Sequence, residues 1–112
     1  MTLYHAQLNL PLAALADPTR RGMVERLAHG PAAVSELAEP FNMALPTILQ
    51  HIKVLEASGL VRSKKTGRVR ICDIEGAALR EVQSWLAAQV QLWESRLDRL
   101  DTLAMRLAKE QE

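Results

Sequence analysis

Apolar positions follow a helical period along most of this chain. Leu8 to Ala16 is an apolar run that predicts a short helix. Asp17-Pro18 follows, a helix-capping residue ahead of one suited to the first helical position. Met23, Val24, Leu27 and Ala28 then recur as a one-sided stripe, which Gly30-Pro31 stops. Ser35 opens a third helix with Val34, Leu37 and Ala38 inward; it is short because Pro40 cannot continue it. Asn42-Met43-Ala44 is a turn. Pro46 sits in the first turn of a fourth helix, in which Ile48, Ile52, Leu55 and Glu56 follow at 3–4 spacing and whose C′ residue is Gly59.

After Gly59 the period changes to two. Leu60-Val61-Arg62-Ser63-Lys64-Lys65 reads as a strand, Thr66-Gly67 as a turn, and Arg68 to Ile74 as the returning strand. From Ala77 the helical period returns almost to the end. Leu79, Val82, Leu86, Val90, Trp93, Leu97, Leu100, Ala104 and Leu107 form one row, widened by Trp85, Leu92 and Leu103. At 1.5 Å per residue, ~30 residues extend on the order of 45 Å. Such a helix outreaches the small body before it, and a second copy of the chain is the simplest partner.

The order of elements (a short helix, a tight turn, a second helix, then a hairpin) predicts a winged helix-turn-helix. The fold class is mainly α with a two-stranded β-hairpin wing. We expect one domain over residues 1–112: a DNA-binding core at 8–76 with its wing at 60–74, then a long dimerisation helix at 77–110. The 112 residues fit one domain, and the 48% apolar content supports a core and excludes a disordered chain.

The net charge of +1 hides an asymmetry. Residues 44–72 hold six basic groups (Lys53, Arg62, Lys64, Lys65, Arg68, Arg70) against one acid, Glu56. A +5 block is a candidate footprint for a polyanion, the alternative being a solvated basic loop. No apolar run approaches the ~18 residues that span a membrane. Met1 to Leu12 has neither the basic region nor the apolar core of a signal peptide. One cysteine, Cys72, makes no internal disulfide and points to a reducing compartment, so a cytoplasmic protein is expected. Cys72 reads either as a small buried residue or as a redox switch. With no Gly-rich phosphate loop, nucleophile–base pair or paired carboxylates, no enzyme is expected. His5, His29 and His51 are scattered and the last helix has no histidine, so no metal site or other cofactor is expected.

Several motifs resemble the ArsR/SmtB-type bacterial repressors. They are Ala14-Leu15-Ala16-Asp17-Pro18-Thr19-Arg20-Arg21, Val34-Ser35-Glu36-Leu37-Ala38, the run Gln50 to Val61, and Thr66-Gly67-Arg68-Val69. The resemblance covers residues 8–75. Glu39-Pro40-Phe41 and the Trp93 to Leu100 run are similar to a metal-free branch, often encoded beside a small START-like (SRPBCC) protein. The resemblance implies a homodimer that binds double-stranded operator DNA and represses transcription, its inducing ligand unknown.

By position in that family, Thr47, Gln50 and His51 are the candidate base contacts on the fourth helix. Gln pairs bidentately with adenine, and a threonine methyl meets a thymine methyl. Lys53 is a phosphate contact or simply solvated. Lys64, Lys65, Arg68 and Arg70 are expected on phosphate, with Arg68 able to enter a narrow minor groove. Arg20 and Arg21 sit where a helix dipole disfavours cations; a phosphate contact would explain one of them, the alternative being a solvent-facing role. Leu86, Val90, Trp93, Leu97 and Leu100 are expected at the dimer interface, although Trp93 also suits a core within one subunit. Two departures bear on specificity: Ala44 stands where many relatives have Ser, and Leu49 where many have a small polar residue. They support the alternative of a dimeric protein-interaction module that has lost specific DNA reading.

Overall fold

The computed structural model describes residues 6–111. His5 and the start of the Met1 to Leu12 segment lie outside them. The element order is α1 (Ala6–Leu15), α2 (Pro18–Leu27), β1 (Ala32–Ala33), α3 (Val34–Ala38), α4 (Leu45–Ala57), β2 (Val61–Thr66), β3 (Val69–Ile74) and α5 (Gly76–Glu110). The chain divides into two units, residues 1–82 and 83–112, and α5 contributes to both.

In the first unit, α4 packs against α1, α2, α3 and β2. Its inner stripe of Ile48, Ile52 and Leu55 is at most 1% exposed and meets Met23, Leu27, Leu37, Leu60 and Cys72 in one core. Burying each large aliphatic side chain contributes on the order of 1.5–3 kcal/mol, which fixes the face α4 turns outward. Ala28, expected in the α2 stripe, instead caps that helix and is exposed, because the helix ends one residue earlier. The first turns of α5 belong to the same unit, with Val82 buried and Ala78 and Leu79 packed on the core.

The ends of these helices are closed by specific groups. Asp17 lies in extended conformation and its carboxylate accepts the Arg20 backbone N–H at 3.0 Å, with Pro18 at the first turn. For α3 the N-cap is Ala33 rather than a position set by Ser35; Glu36 reaches back to accept the Ala33 N–H at 3.0 Å. The N-cap of α4, Ala44, has no side-chain acceptor, and its carbonyl takes the Thr47 and Ile48 amides instead. At the other end Gly59 adopts φ +82, a conformation a side chain would resist. Buried Ser58 donates to the Leu55 carbonyl at 2.6 Å and accepts the Leu60 N–H at 3.2 Å, stitching α4 to the strand that follows.

The wing is part of a three-stranded antiparallel sheet, ordered β1-β3-β2, where two strands were expected. Ala32 and Ala33 pair with Cys72 and Ile71. Thr66 pairs with Val69, so the turn residues are Gly67 and Arg68, one position beyond the expected Thr66-Gly67. Gly67 takes φ +61 at the first turn position, the place that a two-residue type II′ hairpin reserves for glycine. Arg68 therefore occupies the tip rather than a strand.

In the second unit, every residue from Leu86 to Gln111 is exposed, including Leu86, Val90, Trp93, Leu97 and Leu100 at 39–58%. Trp93 is thus not core within the subunit. Among the described residues no helix is long and apolar enough to cross a membrane.

Asp17 is held below its ordinary 3.8, first by the Arg20 backbone N–H and then by the Arg20 guanidinium charge, with partial burial opposing. Its contribution to stability is therefore present above pH 3.8 and lost as pH falls through the lowered value. Asp17→Ala should lower the melting temperature at pH 7, and the gap from wild type should narrow below pH 3.8. Melts followed by circular dichroism across that range test this; a gap independent of pH would contradict it.

Candidate nucleic-acid interface

With Ile48, Ile52 and Leu55 inward, α4 presents Leu45, Thr47, Leu49, Gln50 and Lys53 to solvent. The next strand pair stands beside this face. A groove of about 590 Å³ separates them, lined by Pro46, Leu49, Gln50, Lys53 and Glu56 from α4 and by Arg70 from β3. Of the expected contact residues, the structure brings Gln50, Lys53 and Arg70 together here. Thr47 is exposed on the same helix outside the groove lining, and Lys64, Lys65 and Arg68 are exposed along the hairpin and at its tip.

The hairpin concentrates charge without neutralising it. Lys65 and Arg70 are directly opposite each other across β2 and β3, an arrangement that costs stability for like charges. Among the described residues, Lys53, Lys64, Lys65, Arg68 and Arg70 have no carboxylate within 4.0 Å; the ion pairs between permanently charged side chains are Arg26–Glu36 and Arg62–Glu75. Cations assembled at a cost and left unpaired suit a polyanion.

Two expected contacts are placed differently from what the sequence suggests. Arg70 donates to the Ser63 hydroxyl at 2.8 Å, and Ser63 donates to the Glu56 carboxylate at 3.0 Å. Glu56, the lone acid of the basic block, thereby ties the wing to α4 and orients the Arg70 guanidinium beside the groove. His51 is turned toward α1 and α2: its side chain is 17% exposed, with Nδ1 3.2 Å from Arg20 Nη1 and 3.9 Å from Asp17 Oδ2.

Arg20 and Arg21 both reach back to the end of α1. Arg20 donates to the carbonyls of Ala14 (2.8 Å) and Ala13 (3.4 Å), and Arg21 to that of Leu15 (2.8 Å). These carbonyls lie in the last turn of α1, its negative end, which offsets the cost of cations at the start of α2. The motif Asp17 to Arg21 is thus a joint closing two helix ends. The only hint in the sequence was that two arginines stand at a position unfavourable within their own helix.

Comparisons with known proteins extend this geometry. A family model described as a helix-turn-helix domain matches residues 15–64. The HTH-type transcriptional regulator Rv2034 of Mycobacterium tuberculosis is 44% identical over 71 residues, covering 63% of this chain and 66% of that protein. The crystal structure of an ArsR-family transcriptional regulator is 56% identical, covers 85% of this chain and 98% of its own, and superposes with a TM-score of 0.78. The chain belongs to the ArsR family of transcriptional regulators. A homodimeric winged helix-turn-helix DNA-binding domain from Mycobacterium bovis is 27% identical, with a TM-score of 0.61 over 77% of this chain and 82% of its own. The winged helix-turn-helix reading of the element order is borne out.

Cys72 of this ArsR-family regulator is fully buried between the strands and the core. Burial pushes its thiol pKa up, and the Glu56 carboxylate adds to the rise against the opposing charge of Arg70. Among the described residues no three His, Cys, Asp or Glu side chains gather where they could hold a metal ion. A protonated, enclosed thiol is a poor nucleophile. Cys72 should therefore resist iodoacetamide in the folded protein and react promptly in denaturant, as mass spectrometry would read. Rapid labelling of the native protein would contradict this.

Proposed function

We propose that this regulator is a homodimeric repressor of its own operon, binding double-stranded operator DNA with α4 in the major groove and the β2–β3 hairpin along the backbone. One observation carries the reading: α4 presents Gln50 and Lys53 to a groove whose far wall is Arg70, continuous with the unpaired cations of the wing. A major groove ~12 Å wide admits one helix. Gln50 then reads a base, Thr47 meets a thymine methyl, and Lys53, Lys64, Lys65, Arg68 and Arg70 meet phosphate, with Arg68 at the tip reaching into a narrow minor groove.

Dimerisation is supported by the exposed apolar row of α5, Leu86, Val90, Trp93, Leu97 and Leu100, a stripe too extensive to leave in water. The homodimeric Mycobacterium bovis neighbour supports it further. A two-fold dimer presents two recognition helices to half-sites about one DNA turn, ~34 Å, apart.

A second reading, a protein-interaction module on the same fold, draws on the uncapped Ala44 and on the exposure of Leu45 (56%) and Leu49 (40%). Selection from random-sequence DNA separates the two, since only the repressor enriches a motif. Binding to DNA immediately upstream of the coding region, followed by fluorescence anisotropy over a salt series, then tests autoregulation.

Gln50→Ala is expected to relax preference at one position in each half-site, costing ~1–3 kcal/mol per position, while Arg68→Ala weakens binding to every sequence and lowers the salt slope by about 1 per half-site. Equal loss on specific and scrambled DNA would remove Gln50 from base reading, and an unchanged slope would remove Arg68 from phosphate. Trp93→Glu should yield monomer in analytical ultracentrifugation; persistence of the wild-type dimer would move the interface elsewhere.

A further inference from the structure

The recognition helix is joined to the α1–α2 pair by a polar cluster that its apolar stripe does not account for. Arg20 divides its guanidinium three ways, with Nε on the Ala14 carbonyl, Nη2 on the Ala13 carbonyl and Nη1 3.2 Å from His51 Nδ1. A guanidinium stays protonated and has only donors. Nδ1 of His51 must therefore accept, which leaves the ring proton on Nε2 and the imidazole neutral. The Asp17 carboxylate, 3.9 Å from Nδ1, is already engaged by the Arg20 amide. Nε2 has no partner among the described residues, and no buried side-chain nitrogen or oxygen there lacks one, so Nε2 lies at the surface.

We propose that Arg20 is a positioning residue for DNA recognition: by fixing His51 as the Nε2–H tautomer, it makes His51 a neutral, directed hydrogen-bond donor to DNA. The inference rests on α4 being the DNA-reading helix. A histidine free to exchange tautomers would present donor and acceptor in turn. The fixed ring presents only a donor, suited to a phosphate oxygen or to acceptors such as guanine O6 or thymine O4. A neutral donor displaces no counterion, so its contribution is independent of salt, in contrast to that of the wing cations.

The test uses wild type, Arg20→Met, His51→Ala and the double variant, titrated with the motif selected by the wild type across a salt series. His51→Ala is expected to weaken binding about tenfold per half-site, the scale of one hydrogen bond in such a contact, and Arg20→Met about twofold per half-site, because a freed ring still carries its proton on Nε2 about half the time. The double variant should lose no more than His51→Ala alone, because Arg20 acts only through that ring, and all four salt slopes should agree. Long-range proton–nitrogen NMR of the free wild type should show a pyridine-type Nδ1 and a protonated Nε2, and Arg20→Met should shift the ring toward a tautomer mixture. A wild-type ring protonated at Nδ1, losses that multiply in the double variant, or a reduced slope in Arg20→Met would each overturn the proposal. Should Arg20→Met fail to fold, the wild-type ring spectrum and the His51→Ala slope decide it. A wild type that selects no motif overturns the DNA-reading interpretation and this inference with it, whereas selection with multiplying losses overturns the role of Arg20 alone.

Discussion

Helix α4 is gripped from behind by α1, α2, α3 and β2, with Ile48, Ile52 and Leu55 excluded from water. The geometry of the candidate interface depends on that burial. Turning α4 about its axis would bring three large apolar side chains into solvent, so the outward face carrying Thr47, Gln50 and Lys53 is set by the core rather than by its own chemistry. The lack of a side-chain cap at Ala44 is tolerable for the same reason: tertiary packing, more than local propensity, holds the helix.

Burial fixes a face but not a direction for each polar group. That is supplied by a few hydrogen bonds between elements. Ser58 joins the end of α4 to the approach of β2, and the Glu56–Ser63–Arg70 chain sets the hairpin against the helix. On the opposite side, Arg20 joins the last turn of α1 to His51. These ties leave Lys65 facing Arg70 across the hairpin without a nearby carboxylate. Stability would favour an acid at one of those positions. Retaining both cations is consistent with a surface that meets its counter-charge on a polyanion.

Features governed by neighbours along the chain were legible early. The Asp17-Pro18 cap, the end of α4 at Gly59, the inward row of α4 and the existence of the hairpin each follow from contacts within a few residues, or from a period that solvent imposes. The hairpin register was legible only to within one residue, because Thr66-Gly67 and Gly67-Arg68 are both plausible two-residue turns. The pairing of Thr66 with Val69 selects between them. The two-alanine strand β1 was not legible, since its order comes from bonding to Cys72 and Ile71 some 40 positions away.

The candidate site divides in the same way. The sequence by itself determined the helix-turn-helix order, the apolar face of α4, the cationic hairpin and the long apolar row of α5, because composition and periodicity act locally. Only the tertiary structure decided that Arg20 and Arg21 close α1, that His51 turns toward Arg20, that Arg70 is tied through Ser63 to Glu56, and that Trp93 is exposed. Each of these depends on which distant group, or none, lies within about 3 Å of a flexible side chain. Such proximity is set by packing between elements and leaves no periodic trace along the chain.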